Sequence, residues 1–374
     1  MSLTDSIKNY TKQLDEQGLL RRRKVYEPDL LHFDSNDYLS LTQDKQINEF
    51  YQTGYSQFPV GSGSSMILSG YHAQHQTLER TFATWLHTDE CLLFPSGYAA
   101  NLAIGALLEK IQAHCFIDKA VHASIYDGLN LAKVPFTRFL HNEVSDLQAK
   151  MHAAQASKVL MTEGIFSMSG QQAPLKSFAA LKIECIVDEA HSIGLIGNEG
   201  KGAVDYHGLS QQQVPLRMLA FGKAFAAQGA LVAGQSVWID ALAQAARSLI
   251  YTTAISPALT YGLLKTLDVV RAADDRRFKL QALIQHFNSL IPKSALCWTD
   301  SQTAIQQVQL GCPKRAVYYA EELKKRGISC AAIRAPTVSP KASGLRIILN
   351  YRHQAEDIEL LFKALNEIYE HSSN

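Results

Sequence analysis

The feature of this sequence that most limits its fold is a series of short apolar segments that alternate with stretches of helical periodicity. The segments "KVLMTEG" (158–164), "ECIVDEA" (184–190) and "RMLAFG" (217–222) are largely apolar, as strands are when helices cover both faces of a sheet. Helical patterns also follow the strand-like runs "CLLF", "HCFID" and "FTRFL". The alternation predicts an α/β fold with a large, mostly parallel sheet.

The chain divides into three predicted parts. Residues 1–39 form an N-terminal helix, over about residues 2–19, and an arm, and we expect the helix to lie against one of the following parts. Residues 40–245 form the large α/β domain. Residues 246–374 hold a connecting helical stretch, over about residues 258–290, and a small C-terminal α+β domain.

Charge and composition exclude several classes of protein. The chain has 36 basic and 35 acidic residues, a net charge of +1, which offers no electrostatic surface for a nucleic acid. The six cysteines form no CxxC pair and no His cluster lies at zinc-ligand spacing, so no metal site is expected. There is no signal-peptide pattern and no apolar run of about 18 residues, so we expect a cytoplasmic protein with no membrane partner.

The segment "IVDEAHSIGLIG" (186–197) admits two interpretations. Asp-Glu-Ala-His is the Mg-ATP motif of one helicase class, and it is also where some pyridoxal phosphate enzymes carry the acid that binds the cofactor's ring nitrogen. A P-loop ATPase needs the phosphate-binding turn GxxxxGK[ST], and this sequence has none. The ATPase interpretation is therefore disfavoured.

The cofactor interpretation requires a lysine at the end of a later strand, and Lys223 meets that requirement. It follows the strand "RMLAF", with Gly222 expected to allow a sharp turn, at the sheet edge where such folds bind ligands. Asp188 would keep the cofactor's ring nitrogen protonated, and His191 could reach the ring's oxygen substituent. In "FPSGYAAN", Ser96 and Gly97 lead into a helix whose first N–H groups suit a phosphate.

Nine motifs occur in the order and spacing of one enzyme family. They are "SNDYLSL", "SGYHAQHQTLE", "PSGYAAN", "HASIYDG", "TEGIFSMSG", "VDEAHSIGLIG", "FGKAF", "YTTAISPA" and "IRAPTV". With them the chain resembles the α-oxoamine synthases, fold-type I pyridoxal phosphate transferases, from about residue 20 to about residue 352. The acid that follows Asp188 in the sequence, Glu189, points to the other face of the strand if the strand continues, and it is expected to have a structural role.

The resemblance implies that a homodimer joins L-alanine to a pimeloyl thioester, carried by coenzyme A or an acyl carrier protein, with loss of CO₂. It gives Lys223, Asp188 and His122 catalytic roles: Schiff base, contact to the ring nitrogen and stacking on the ring. It also implies further contacts to the cofactor and to the substrate, and among them Thr252 and Thr253 reach the phosphate of the partner subunit. The cofactor contacts are Gly97, Tyr98, Ser167, His191, Thr252 and Thr253, and the substrate contacts are Arg21, Asn36, Thr337 and Arg346.

The sequence departs from the family's pattern at three positions. Ala220 stands where a Thr or Ser usually supports the phosphate, which removes one hydrogen bond, and Ser169 and Gln171 replace two acids. Two alternatives to the alanine enzyme stay open within this fold. One is a sister synthase that takes glycine or serine, and the other is a regulatory protein that binds the cofactor without catalysis.

Overall fold

The computed structural model describes residues 2–23, 25–152, 157–335 and 337–373. The chain forms two compact units: a larger one of residues 36–167 and 172–277, and a smaller one of residues 1–35, 168–171 and 278–374. These boundaries differ from the predicted ones at 39/40 and 245/246. Residues 246–277 group with the larger unit, and the N-terminal segment groups with the C-terminal one.

The larger unit is built on a seven-stranded sheet. Its strands are β2 (Glu90–Phe94), β3 (His114–Asp118), β4 (Phe136–Phe139), β5 (Lys158–Glu163), β6 (Glu184–Asp188), β7 (Leu216–Ala220) and β8 (Ala230–Gly234). They lie in the order β2-β8-β7-β6-β5-β3-β4, and β8 runs in the opposite direction to the other six strands. The predicted α/β fold with a large, mostly parallel sheet is confirmed.

The smaller unit holds two sheets of its own. A four-stranded antiparallel sheet has the order β12-β13-β10-β9, and a parallel pair joins β1 to β11. Phe287, Trp298 and Phe362 pack their rings together in this unit, with centroid distances of 4.9 to 5.2 Å. The strands are β1 (Leu31–His32), β9 (Cys297–Trp298), β10 (Ile305–Gln309), β11 (Ile328–Ser329), β12 (Ala331–Ile333) and β13 (Gly344–Ile348).

Helices alternate with the strands from β2 to β7, as the sequence pattern predicts. They are α1 (Leu3–Glu16), α2 (Lys45–Gln57), α3 (Ala73–Leu86), α4 (Gly97–Lys110), α5 (Ala123–Ala132), α6 (Val144–His152), α7 (Leu175–Ala180), α8 (Ala203–Tyr206), α9 (Ser236–Ala245), α10 (Arg247–Ile250), α11 (Pro257–Arg271), α12 (Asp274–Leu290), α13 (Pro313–Lys325) and α14 (Ala355–Ser373). The helices α4 and α5 approach closely because two glycines face each other. A Cβ on Gly105 would lie 2.4 Å from the carbonyl oxygen of Gly128.

One helix prediction needs correction. The single helical stretch expected over residues 258–290 is two helices, with a break at Ala272 and Ala273, and Asp274 and Asp275 favour the start of a new helix because carboxylates are stabilised in a first turn. The N-terminal helix exists as α1; it buries no residue, and its segment groups with the C-terminal one in the smaller unit. The expectation that it lies against another part of the chain stays a prediction. The helix predicted after "FTRFL" reached residue 154, and its last two residues lie outside the described ones.

No described helix is both long and apolar enough to cross a membrane.

Glu189, the second residue of the DEAH sequence, is the centre of a buried structural cluster in the larger unit. Its carboxylate accepts hydrogen bonds from the backbone N–H groups of Ala203 at 2.7 Å and Val204 at 3.0 Å, and another from the Ser192 hydroxyl. The Arg217 guanidinium on β7 lies 2.6 Å from Glu189 Oε1, and both side chains are almost fully buried. Glu189 therefore ties the loop after β6 to the neighbouring strand.

We expect Arg217→Met to lower the free energy of unfolding by about 3–5 kcal/mol, because the carboxylate of Glu189 stays buried without its cationic partner. The measurement is urea denaturation followed by circular dichroism. Arg271→Met is the control: its ion pair with Glu199 is 2.9 Å long but 41% and 36% exposed, so its loss costs less than about 1 kcal/mol. Equal destabilisation by the two substitutions would contradict this account.

Candidate active site

The predicted site residues of the larger unit gather at one edge of its sheet. β5 ends at Glu163, β6 at Asp188 and β7 at Ala220, and the register pairs Glu163 with Asp188. The side chains that follow these strands therefore project from the same edge, where open α/β sheets bind ligands. Lys223 lies three residues beyond the end of β7, in a loop.

Asp188 is buried and held by two donors. Its Oδ1 accepts from the backbone N–H of Ala190 at 3.0 Å, and its Oδ2 accepts from the side-chain amide of Asn101 at 2.9 Å. The same amide nitrogen of Asn101 lies 2.9 Å from the hydroxyl of Ser124. Asn101, on α4, and Ser124, on α5, are themselves buried. The carboxylate is thus fixed from two helices that cover the sheet.

His122 ends the same chain of hydrogen bonds. Its Nδ1 accepts from the backbone N–H of Ser124 at 3.2 Å and lies 2.8 Å from the Ser124 hydroxyl. Because a backbone N–H only donates, the hydrogen of a neutral His122 ring is on Nε2. Its side chain is otherwise exposed at the start of α5, as a ring that stacks on a cofactor must be.

His191 lies in the turn after β6 and contacts a residue that sequence reasoning did not assign. Its Nδ1 lies 2.7 Å from the phenolic oxygen of Tyr38, and both side chains are buried. The Tyr38 hydroxyl also lies 3.4 Å from Oδ1 of Asn36, which the sequence analysis predicted as a substrate contact. Tyr38 stands in the quoted "SNDYLSL" motif, but nothing in the motif indicates its partner.

Glu163 is a second residue at this edge to which the sequence analysis gave no role. Its Oε2 accepts from the backbone N–H of Ser167 at 2.9 Å, which places the predicted Ser167 at the edge as well. Burial, followed by the nearby carboxylate of Asp188, raises the pKa of Glu163 to about 8, and the Lys223 ammonium counteracts part of this effect. A buried acid beside a second acid was not foreseeable from "TEGIF", because the pairing depends on strand register.

The phosphate end predicted at Gly97 is tightly built. Ser96 caps α4 by accepting from the N–H of Ala99 at 3.2 Å. A Cβ on Gly97 would lie 3.2 Å from the Met218 side chain and 3.4 Å from Cβ of Ala220, so the departure at Ala220 lies beside the start of α4. The N-terminal N–H groups of a 14-residue helix suit an anion at this position.

Tyr98, Thr252 and Thr253 are the remaining residues predicted at the phosphate end. Tyr98 is about half exposed, and its hydroxyl donates to the Asp127 carboxylate at 2.6 Å, which raises the pKa of Tyr98. Thr252 and Thr253 lie between α10 and α11, where Thr253 forms an isolated antiparallel bridge with Ser65.

The loop that carries Lys223 turns at Gly222 without a left-handed conformation there; its residues with positive φ are Ala226, at 51°, and Gly229, at 109°. Backbone bonds from Ala226 to Lys223 and from Ala227 to Phe221, both 2.9 Å, close the turn. The lysine therefore lies within the turn.

The smaller unit carries the other predicted substrate residues. Arg21 donates to the Thr337 hydroxyl at 3.3 Å, so the two residues predicted for the acyl substrate meet. Arg346 lies on β13, which has β10 on one side and β12 on the other, so it does not stand on an edge strand. The departures Ser169 and Gln171 hydrogen-bond to each other at 3.3 Å.

Neither a large cavity nor a cluster of metal ligands marks the position of this site. A cavity of about 780 Å³ lies between α2 and α11, and none of the predicted site residues lines it. Among the described residues, no group of three or more His, Cys, Asp or Glu side chains could hold a metal ion.

Comparison with known proteins gives the same family along most of the chain. The family model for aminotransferases of class I and II matches residues 28–365. An 8-amino-7-oxononanoate synthase of Citrobacter koseri is 39% identical, covering 94% of this chain and 92% of its own length. One of Marinomonas sp. is 36% identical, covering 92% of this chain and 87% of its own length.

Solved structures share the fold. The 8-amino-7-oxononanoate synthase of Francisella tularensis superposes with a TM-score of 0.83 at 28% identity, over 93% of this chain and 100% of that one. A serine palmitoyltransferase of S. paucimobilis, solved with bound PLP and myriocin, superposes with a TM-score of 0.90 at 23% identity, over 99% of both chains. The chain belongs to the aminotransferase class I and II family and, within it, to the α-oxoamine synthases.

Proposed function

We propose that this chain condenses L-alanine with a pimeloyl thioester to give 8-amino-7-oxononanoate, CO₂ and the free thiol, a step of biotin biosynthesis, with pyridoxal phosphate as cofactor. The relatives named 8-amino-7-oxononanoate synthase, 36% and 39% identical over more than nine-tenths of this chain, support the activity. The observation that carries the proposal is the buried Asp188 carboxylate, fixed by Asn101 and Ala190 at the sheet edge that also bears Lys223.

The side chains at this edge fit pyridoxal phosphate. Each oxygen of Asp188 keeps acceptor capacity beyond its one hydrogen bond, as a pyridinium N–H requires. Asn101 Oδ1 is buried and has no hydrogen-bond partner among the described residues. Such an orphaned acceptor suits a polar ligand beside it. Lys223 offers the primary amine that an aldehyde takes, and the start of α4 suits a phosphate.

Bound pyridoxal phosphate supplies an electron sink for the electron pair left on the substrate Cα when its proton is removed. Lys223 takes that proton. Asp188 would accept a hydrogen bond from the ring nitrogen, His191 would donate one to the ring oxygen, and His122 would cover the ring face. When the new carbon–carbon bond forms, the thiolate leaves the acyl group, and CO₂ is then lost from the β-keto acid, which demands little from the protein. Lys223 returns a proton to Cα only after CO₂ has left, because until then Cα carries four other substituents.

The substrate residues keep the roles that the family resemblance implies. Asn36 and Arg346 bind the alanine carboxylate, for which a guanidinium supplies paired donors. Arg21 and Thr337 meet the acyl substrate, a role that their mutual hydrogen bond of 3.3 Å supports. Thr252 and Thr253 reach the phosphate in the partner subunit, so the proposal includes a homodimer, and we place the enzyme in the cytoplasm.

The principal alternative is a sister synthase such as 2-amino-3-ketobutyrate CoA ligase, which uses glycine. The same edge would serve glycine or serine, and a serine palmitoyltransferase shares the fold with a TM-score of 0.90. That likeness has 23% identity, whereas the 8-amino-7-oxononanoate synthases reach 39%. The DEAH-type ATPase interpretation is wrong, since the chain belongs to the aminotransferase family and Glu189 is bound to Arg217 in the interior.

The first test is the visible absorption of the purified protein with pyridoxal phosphate, titrated separately with L-alanine, glycine and L-serine. We expect a saturable shift of the cofactor band at the lowest concentration with L-alanine. A preference for glycine or serine would assign the chain to a sister synthase. A band that responds to none of the three would identify a protein that binds the cofactor without catalysis.

Lys223→Ala should lower turnover of L-alanine and pimeloyl-CoA on the order of 10³-fold or more, because Lys223 is the amine that holds the cofactor and takes the Cα proton in the proposed mechanism. The measurement is release of free thiol, with circular dichroism to verify folding. Lys176→Ala, which removes an exposed lysine from α7, is the control and should act as wild type. Retained turnover in the Lys223 variant would refute the proposed mechanism.

Glu163→Gln should change how stability depends on pH. The pKa of this carboxyl rises from 4.5 to about 8 in the folded protein, mainly through burial. As pH rises through that window, the unfolded chain loses the proton first, so the folded wild type loses stability. The glutamine variant avoids this loss. Urea denaturation of the cofactor-free protein should show the variant gaining on wild type from about pH 5 to about pH 8. Glu49→Gln, at an exposed carboxyl of α2, is the control, and parallel wild-type and Glu163→Gln profiles would contradict the assignment.

A further inference from the structure

Tyr38 connects two predicted site residues from a fully buried position. Its hydroxyl lies 2.7 Å from Nδ1 of His191 and 3.4 Å from Oδ1 of Asn36. The rings of Tyr38 and His191 meet edge to face, with centroids 6.1 Å apart. A single hydroxyl thus joins the residue proposed for the cofactor's ring oxygen to the residue proposed for the substrate carboxylate.

The segment around Tyr38 is held firmly by its own hydrogen bonds. The N–H of Tyr38 donates to the carbonyl oxygen of Asn36 at 2.8 Å. Asp37 accepts from the N–H groups of Leu41 at 2.8 Å and Thr42 at 3.0 Å. The phenol is therefore placed by its own turn as well as by its contact with the imidazole, and removing its hydroxyl should leave the backbone in place.

The Tyr38 hydroxyl has two neighbours that could accept its single hydrogen. The O···N distance of 2.7 Å to His191 is short, whereas 3.4 Å to Asn36 is near the limit of a hydrogen bond. A hydrogen on the shorter contact points to Nδ1 of His191; in the opposite arrangement Nδ1–H would donate to the phenol oxygen, and the phenol would donate to Asn36. A neutral imidazole that accepts at Nδ1 has its hydrogen on Nε2. His191 is then a donor at its other nitrogen, as contact with a phenolate-like oxygen requires.

We propose that Tyr38 is a positioning residue: it fixes His191 as the tautomer with hydrogen on Nε2 and aligns that donor with the substrate contact Asn36. The inference rests on the proposed function for what His191 contacts. The tautomer itself is a property of the protein alone. A buried ring nitrogen that is bonded to a neighbour commonly sets what the other nitrogen does.

The test uses Tyr38→Phe, which removes the hydroxyl and keeps the ring. The dissociation constant of pyridoxal phosphate, measured by its absorption band, should rise about threefold to tenfold, as for the loss of one hydrogen bond. In a His191→Gln background the same substitution should have almost no effect, because Tyr38 acts through the imidazole. An equal loss in both backgrounds would mean that Tyr38 only supports the fold, and would overturn the proposal.

A second readout does not depend on the cofactor. The ¹⁵N shifts of His191 in the cofactor-free protein, assigned by their loss in His191→Gln, should show an unprotonated Nδ1 and a protonated Nε2. In Tyr38→Phe the ring should no longer favour that tautomer. A wild-type ring with hydrogen on Nδ1, or a ring unchanged in the variant, would refute the inference even if the proposed function holds.

Tyr51→Phe is the matched control. Tyr51 lies in the same unit, on α2, and its hydroxyl accepts a long contact of 3.5 Å from Thr266. It should leave the cofactor affinity and the His191 shifts as in wild type. Wild-type protein that fails to shift its cofactor band with any amino acid would refute the proposed function, while the His191 shifts would still decide the role of Tyr38.

Discussion

A sheet buried on both faces can carry reactive side chains only where its strands end, and this constraint governs the larger unit. β5, β6 and β7 have buried interiors and run in one direction. Glu163 and Asp188 stand at the last positions of β5 and β6, and Lys223 follows β7 in the next loop. Parallel alignment therefore converts three separate stretches of sequence into one site.

The neighbouring acids Asp188 and Glu189 show how the protein separates structure from chemistry. Glu189 is surrounded by donors of its own chain, with Arg217 at 2.6 Å, so its charge is compensated inside the protein. Asp188 accepts hydrogen bonds from the N–H of Ala190 and the neutral amide of Asn101. A carboxylate bonded to neutral donors keeps its attraction for a cationic ligand, while one paired with a guanidinium does not. The same sequence motif thus serves a structural and a ligand-binding purpose.

Sequence reasoning succeeds where information is local and fails where partners are distant. The strand β3 matches the segment "HCFID" residue for residue, because apolar runs between turns identify buried strands. Asn101, Tyr38 and Glu163 were missed, although all three stand in quoted motifs. Their contacts span 87, 153 and, by strand register, 25 positions, and nothing in a local pattern encodes them. The break between α11 and α12 was missed because both sides have good helical periodicity.

The two histidines of the site are fixed by the same device. His122 and His191 each use Nδ1 toward a neighbour, a backbone N–H in one case and a phenol in the other. For His122 this contact puts the hydrogen of the neutral ring on Nε2, the nitrogen farther from the backbone and better able to reach a ligand, and the role proposed for Tyr38 gives His191 the same tautomer. The two neighbours fix the hydrogen of the ring to different degrees. The N–H of Ser124 cannot become an acceptor, whereas the Tyr38 hydroxyl can rotate toward Asn36. His191 is therefore the ring whose hydrogen-bonding state can respond to the substrate, and His122 is the ring whose state is set by the fold.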